Sequence, residues 1–213
     1  MKKLKKYKLS KDINAVKVSE RIIPFYCESR RLGHQVPKYI IIHEVSLNLG
    51  RTPDGYNMEH YENKIVEAGL DGSTIGYHYL CGDKSIYHFI PDDEKTHHVG
   101  CAFNNYSIGI ERLICKGVSY CDALHNQAKL TATLMVKHDI PLENVITHKM
   151  AQTICGMENP KPCPNRLIAG WYGGFELFKD EIKKCLNNKD LFYEILAPDY
   201  IKSDGNKLVL EKK

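Results

Sequence analysis

The sequence lacks a long apolar run. Its basic start, MKKLKKYK, is followed by LSKDINAVKVSE, in which polar and apolar residues alternate. A signal peptide needs an uninterrupted apolar stretch of about seven residues or more, and a transmembrane helix needs about 20. We therefore expect a chain that is made in the cytoplasm without a signal peptide and that does not insert into a membrane.

Internal repeats, low-complexity segments and a cysteine framework are also absent. The chain has eight cysteines, but they lack the close, regular spacing of a disulfide scaffold. Free thiols, with one metal-binding or catalytic cysteine among them, are the expected state. A chain of 213 residues can bury one sizeable core, so we predict a single domain with tails.

Positively charged side chains only slightly outnumber negatively charged ones. The net charge is +4, and much of it comes from lysines near the two ends of the chain. Such tails suit contact with an anionic polymer. A concentrated basic face is missing, so we predict no nucleic-acid partner.

The most informative stretch is KYIIIHEVS, at residues 38–46. Its run of isoleucines predicts a buried strand of the parallel type. The strand leads directly into two ionisable side chains, His43 and Glu44. This indicates a site at the end of the strand that needs a nitrogen ligand or a base.

Other periodic segments complete an α/β pattern. Helical spacing predicts helices over 57–69, 121–139 and 175–187. Further strands are predicted on both sides of Gly82-Asp83-Lys84, over 107–114 and over 144–148. A turn is predicted at Pro53-Asp54-Gly55, and a short strand or helix near 22–27. Residues 150–164 are predicted to be irregular. The pattern predicts a single mixed β-sheet flanked by helices.

Two predicted strands end in histidine, His43 and His148, and KPCP adds Cys163 downstream. Two imidazoles and a thiolate are enough for a catalytic zinc site, which uses three protein ligands and keeps one position open. The alternative is that both histidines are ordinary core or surface residues.

Two charged residues likewise have both a functional and a purely structural interpretation. Glu111 lies in the apolar segment SIGIE, where an unpaired carboxylate is costly to bury, unless it forms a surface pair with Arg112 or Lys116. Lys161 precedes Cys163 by two residues, so its ammonium either reaches a charge at the metal or is a solvated loop lysine. The pair His97-His98 consists either of loop surface residues or of substrate contacts.

Six segments in order carry a family resemblance: YIIIH, GYHYLCGDKSIYHFIP, THHVG, NNYSIGIE, VITHK and KPCPNRL. Over residues 38–186 the chain resembles the type-2 N-acetylmuramoyl-L-alanine amidases. These are zinc hydrolases of phage endolysins and bacterial autolysins, related in fold to the peptidoglycan recognition proteins. The resemblance therefore implies this fold.

The resemblance also implies roles for seven residues. It implies the zinc ligands His43, His148 and Cys163. It implies catalytic roles for Glu111, which acts on the attacking water, and for Lys161 and Tyr77. It further implies that His98 lines the substrate groove.

The sequence departs from the family pattern at two points. The gap between His148 and Cys163 is long, and it contains Cys155 as a competing ligand. We favour Cys163, because the Lys-X-Cys-Pro motif around it matches the family. Glu44 stands where many relatives carry a small polar residue or a second histidine, and we interpret it as a partner of a ligating imidazole.

The implied activity is zinc-dependent hydrolysis of the amide bond between N-acetylmuramic acid and L-alanine in bacterial peptidoglycan, after release of the enzyme to the cell wall. Residues 1–36 would form an N-terminal arm, 37–187 the zinc amidase domain, and 188–213 a C-terminal tail or linker. Two alternatives stay open: a non-catalytic peptidoglycan-binding module, which characteristically lacks the cysteine ligand, and a cysteine hydrolase with a Cys/His pair. The sequence predicts no particular oligomeric state.

Overall fold

A computed structural model describes residues 16–45, 57–192, 195–196, 201–203 and 208–210. The predicted turn at Pro53-Asp54-Gly55 lies outside these residues, as do the first fifteen residues and the last three. No helix in the described part of the chain is both long and apolar enough to cross a membrane.

The fold is built on one mixed sheet of six strands, in the order β1-β4-β3-β5-β2-β6. The strands are β1 (Lys17–Glu20), β2 (Tyr39–Ile42), β3 (Tyr79–Cys81), β4 (Ser85–His88), β5 (Ser107–Arg112) and β6 (Val145–Thr147). Within this sheet, the strand pairs are parallel except for the hairpin between β3 and β4, which is antiparallel. The predicted single mixed sheet is confirmed.

Strand β2 occupies an interior position, between β5 and β6 and parallel to both. Ile40, Ile41 and Ile42 have no exposed surface, as the isoleucine run predicts. Ile40 and Ile42 belong to the largest apolar cluster, whereas Ile41 packs on the opposite face with Val99. Side chains therefore alternate between the two faces of β2, and this alternation determines the face to which each residue after the strand points.

The described part of the chain contains five α-helices: α1 (Met58–Leu70), α2 (Tyr120–His138), α3 (His148–Ile154), α4 (Asn165–Ile168) and α5 (Gly174–Asn188). The predicted helices correspond to α1, α2 and α5. Apolar residues of α2 and α5 pack in the same cluster as Ile40 and Ile42. Met58 and Ile65 of α1 pack in a second cluster, with Leu80 and Phe89 from the hairpin.

The region after β6 differs from the prediction. The strand stops at Thr147, and His148 is the first residue of α3 rather than the last of a strand. The cause is a helix N-cap, because the Thr147 hydroxyl accepts a hydrogen bond from the Met150 N–H at 3.1 Å. Residues 150–164, predicted to be irregular, therefore begin inside a helix.

The described part of the predicted N-terminal arm packs against the domain. Instead of a strand or helix near 22–27, β1 precedes this segment and pairs with β4, and a 3-10 turn at Glu28–Arg30 follows it. Arg30 forms an ion pair with Glu94 at 2.6 Å. Near the other end, Ile201–Ser203 and Leu208–Leu210 form a separate antiparallel pair.

Candidate metal centre and active site

The three residues predicted as zinc ligands lie together. His43 directly follows β2 and His148 directly follows β6, and these strands are parallel neighbours, so their carboxyl ends meet. Cys163 comes from the segment between α3 and α4. All three are buried, with 1%, 5% and 2% of their surface exposed.

The ligand atoms have the spacing of a metal site. His43 Nδ1 lies 3.1 Å from His148 Nδ1 and 3.8 Å from Cys163 Sγ, and all three atoms lie within 4.8 Å of one another. Tetrahedral zinc bonds of about 2.0 to 2.3 Å imply separations of about 3.3 Å between nitrogens and 3.6 Å between nitrogen and sulfur. Cys155 is not in this group, since its sulfur faces that of Cys101.

Burial keeps both imidazoles neutral. It lowers the pKa of His43 well below its ordinary value, and it lowers the pKa of His148 to about 4, with the charge of Lys161 adding to both effects. A neutral imidazole has one lone pair to offer a cation.

A chain of hydrogen bonds determines which nitrogen of His43 carries that lone pair. Ser107 donates its hydroxyl proton to the Phe103 carbonyl at 2.6 Å, which leaves its oxygen to accept from His98 Nε2 at 3.2 Å. His98 Nδ1 then accepts from His43 Nε2 at 3.0 Å. The lone pair of His43 is therefore on Nδ1, which faces His148 and Cys163.

The third donor is a buried thiol. Burial raises the pKa of Cys163, and the neighbouring Glu111 raises it further. A bound divalent metal reverses this balance, because a coordinating thiol is deprotonated. Two neutral imidazoles and one thiolate form a donor set that fits zinc.

Glu111 lies beside the donor group. Its Oε1 is 3.9 Å from His43 Nδ1, and 16% of its side chain is exposed. Its buried Oε2 has no hydrogen-bond partner among the described residues. Burial raises the pKa of Glu111 to about 8, although the positive charge of Lys161 opposes this rise. A surface pair with Arg112 is excluded, because Arg112 is itself buried and paired with Glu44.

The other predicted site residues surround the same group. Lys161 is exposed, and its charge acts on the pKa of His43, His148 and Glu111. Tyr77 packs on Phe89, and its hydroxyl makes a long 3.5 Å hydrogen bond to the Tyr61 carbonyl. Burial and the Glu111 carboxylate raise the pKa of Tyr77, so its phenol stays protonated.

His98 is not a free groove residue. Its ring lies between His43 and Ser107, and it is only partly exposed. The His98 ring supports His43, a candidate metal ligand, through a hydrogen bond, and contact of His98 with substrate stays a prediction. Gly109 is required for this arrangement, because an added Cβ there would lie 2.7 Å from the His98 ring.

Glu44 has a different role from the one interpreted from sequence. It does not pair with a ligating imidazole. Its Oε2 accepts from Arg112 Nη2 at 2.8 Å, and its Oε1 accepts from Arg166 through the backbone N–H at 2.9 Å and Nη1 at 3.2 Å. These partners are 68 and 122 residues away in the chain, so no local pattern could have identified them.

The Glu44 network supports two ligands. Arg166 lies three residues after Cys163, so the carboxylate fixes the segment that carries the thiol. Arg112 also donates to Gln127 Oε1 at 2.6 Å, and Gln127 Nε2 donates to the His43 carbonyl at 3.1 Å. The network that includes Glu44 thus holds both His43 and the segment of Cys163.

A buried group of two histidines and one cysteine, with a carboxylate beside it, is typical of metal-dependent hydrolases. A family model described as N-acetylmuramoyl-L-alanine amidase (Amidase_2) matches residues 33–166. The chain belongs to this family, which confirms the resemblance seen in its sequence.

Individual relatives agree with this assignment. The chain is 29% identical over 161 residues to N-acetylmuramoyl-L-alanine amidase XlyA of Bacillus subtilis (strain 168), covering 73% of this chain and 49% of that protein. It is 32% identical over 165 residues to N-acetylmuramoyl-L-alanine amidase CwlA of a Bacillus species, covering 72% and 61%. The chain therefore spans about half to three fifths of the length of these curated relatives.

A solved structure of one relative's catalytic domain matches the fold over almost the whole length of that domain. The catalytic domain of XlyA superposes with a TM-score of 0.66 at 27% identity, covering 78% of this chain and 99% of that domain. The similarity therefore extends over a whole catalytic domain of the relative.

Proposed function

We propose that this protein hydrolyses the amide bond between the lactyl carboxyl of N-acetylmuramic acid and the amino group of L-alanine in bacterial peptidoglycan. The observation that carries the proposal is the buried His43, His148 and Cys163 group with Glu111 3.9 Å from one ligand nitrogen. Membership of the amidase family supplies the substrate class.

His43 and His148, through their Nδ1 atoms, and the Cys163 thiolate would hold zinc. Bound zinc polarises a carbonyl and lowers the pKa of water from about 15.7 to about 7. The remaining steps belong to the protein side chains.

Glu111 takes the proton of the attacking water and then delivers it to the departing amine of L-alanine. Its unpartnered Oε2 is available for this exchange. Lys161 opposes the effect of burial on the Glu111 pKa and so favours the ionised, proton-accepting form. As water attacks, negative charge develops on the carbonyl oxygen. Lys161 and the protonated Tyr77 phenol stabilise that charge.

The two alternatives fit the site less well. A non-catalytic binding module does not require the third ligand, which is present as Cys163. A cysteine hydrolase requires an accessible thiolate, but Cys163 is 2% exposed and burial raises its pKa.

The proposed catalytic unit is residues 37–187, with β1 completing its sheet. Its place of action is the bacterial cell wall, which it reaches after release from the cytoplasm. The lysine-rich ends of the chain, predicted to contact anionic polymers, suit that surface.

The test is digestion of purified peptidoglycan by the full chain. New amino groups and new reducing sugar ends are measured separately, first with a zinc chelator and then after zinc is restored. We expect new L-alanine amines without reducing ends, abolished by the chelator and recovered with zinc. Protein that binds several wall types but releases neither product would overturn the proposal in favour of the binding module.

A further inference from the structure

Two cysteines outside the metal group lie in direct contact. The Cys155 thiol is 2.7 Å from Cys101 Sγ, although 54 residues separate them in the chain. Both are free thiols, and Cys155 is exposed whereas Cys101 is partly exposed. A disulfide bond is about 2.05 Å long, so a shift of less than an ångström would join the two sulfurs.

The backbones that carry these cysteines are already tied together. Gln152, on α3 just before Cys155, donates to the Val99 carbonyl at 2.7 Å. The same side chain accepts from the Lys161 N–H at 2.7 Å. On the other side, Asn104 Oδ1 accepts from the N–H of Val99 at 2.8 Å. These hydrogen bonds hold the segments that carry Cys101 and Cys155 beside each other while both thiols are reduced.

We propose that Cys101 and Cys155 are a redox-active pair that closes to a reversible disulfide when the protein meets a small-molecule disulfide such as oxidised glutathione. The exposed Cys155 thiolate attacks one sulfur of the oxidant and releases one glutathione thiolate. Cys101 then attacks Cys155 Sγ, forms the protein disulfide and releases the second glutathione. The two protein cysteines are oxidised, the oxidant is reduced, and the two thiol protons end on the released glutathiones.

The position of the bond links it to the metal centre. Cys155 directly follows α3, the helix that begins with His148. Cys101 follows the segment that contains His98, whose ring contacts His43. The disulfide would therefore join two parts of the chain that hold metal ligands, without using a ligand itself. The pairing of Cys101 with Cys155 does not depend on the proposed activity. Only the expectation that the disulfide forms after release to the cell wall rests on the proposed function.

The test uses the full-length, zinc-loaded protein incubated with oxidised glutathione, followed by alkylation, trypsin and mass spectrometry. We expect a mass loss of two hydrogens, about 2 Da, and a cross-link between the peptides 96–112 and 150–166. Because the second peptide also contains Cys163, fragmentation spectra must place the bond on Cys155. Reduction with dithiothreitol should restore the starting mass.

Matched variants distinguish this pair from general oxidation. Cys101→Ser and Cys155→Ser should each abolish the cross-link, whereas Cys121→Ser, at a free thiol elsewhere, should leave it intact. Oxidation of the unmodified chain should raise the thermal midpoint by roughly 5 °C, and Cys101→Ser should lose this shift.

Three results would overturn the proposal. One is stable glutathione on Cys155 without a cross-link, and another is the same two-hydrogen loss in Cys101→Ser. The third is a bond from Cys155 to Cys163 instead. If Cys101→Ser fails to fold, Cys101→Ala provides the same comparison without the hydroxyl.

Discussion

Neighbouring residues at the end of β2 serve two different purposes. Side chains alternate between the two faces of a strand, and His43 continues the face of Ile41 while Glu44 continues the face of Ile42. The first face leads to His148 and the metal group, and the second leads to Arg112 beneath α2. The isoleucine run thus ends in two ionisable residues with different roles: His43 is a candidate metal ligand, and Glu44 pairs with the arginines that hold the surrounding segments.

The division of labour between Glu111 and the ligands can be tested directly. Glu111→Gln should retain zinc, because Glu111 is not one of the three donors, and should lose at least about a hundredfold in activity, because proton transfer is removed. His43→Ala should lose both zinc and activity. Zinc content by atomic absorption and amine release from peptidoglycan measure the two effects. Equal zinc loss in both variants would contradict these roles.

His98 should affect zinc affinity rather than only the shape of the groove. Removing the acceptor of the His43 Nε2 proton in His98→Ala should weaken zinc binding by about 10- to 100-fold, measured by competition with a chromophoric chelator. His97→Ala is the matched control, because its exposed ring contacts Thr74 instead. Unchanged affinity in His98→Ala would show that the hydrogen bond does not orient the ligand.

At the scale of helices and strands, the sequence predicted the elements whose apolar residues follow a regular local spacing. β2, α2 and α5 were predictable, since their apolar periodicity reports the face that each one buries. Helix α3 was not predicted, because its seven residues directly follow a strand and its start depends on one capping hydroxyl. Strand β1 was not predicted, because its residues are exposed or half-buried at the edge of the sheet. The hydrogen bonds of Glu44 to its arginines join segments that are distant in the sequence. The contact between Cys101 and Cys155 does the same, so only the fold reveals these contacts.

The Glu44 network should contribute measurably to the stability of these elements. Glu44→Gln removes the charge that two buried arginines share, and each arginine then lacks part of its compensation. We expect the free energy of unfolding to fall by about 3 kcal/mol, measured by urea denaturation. Glu28→Gln is the control, because its ion pair with Arg31 is exposed, and it should change stability by less than about 0.5 kcal/mol. A loss of similar size in both variants would contradict the role of the network.

At the scale of the whole molecule, one buried carboxylate joins the hairpin to the end of α2. Asp92 follows β4 and is 6% exposed. Its Oδ2 accepts from Lys137 at 2.8 Å and from His138 at 2.7 Å, and its Oδ1 accepts from Tyr79 at 2.8 Å. Burial alone would raise the pKa of Asp92, but His138 and Lys137 outweigh burial and hold that pKa well below its usual range.

The sign of this pKa shift predicts how acid acts on the protein. Below an unfolded pKa of about 3.9, the unfolded chain binds a proton at Asp92 while the folded chain does not. The stabilising contribution of Asp92 is therefore complete above that pH and declines as the pH falls toward the folded pKa. Asp92→Asn lacks this contribution, so it should be less stable by about 3 kcal/mol at pH 7. The difference from the unmodified protein should narrow by about 1 kcal/mol between pH 5 and pH 3.

Urea unfolding of the two proteins across this pH range reports on Asp92 and its contacts Lys137 and His138, because titrating groups that do not contact Asp92 contribute equally to both proteins and cancel in the difference. Asp180→Asn is a suitable control, since its ion pair with Lys183 is exposed on α5. That control should differ from the unmodified protein by less than about 0.5 kcal/mol at pH 7. If the gap between Asp92→Asn and the unmodified protein does not narrow below pH 4, the link between the hairpin and α2 does not depend on the ionised carboxylate. Packing of Tyr79 and His138 around it would then account for the stability of the join.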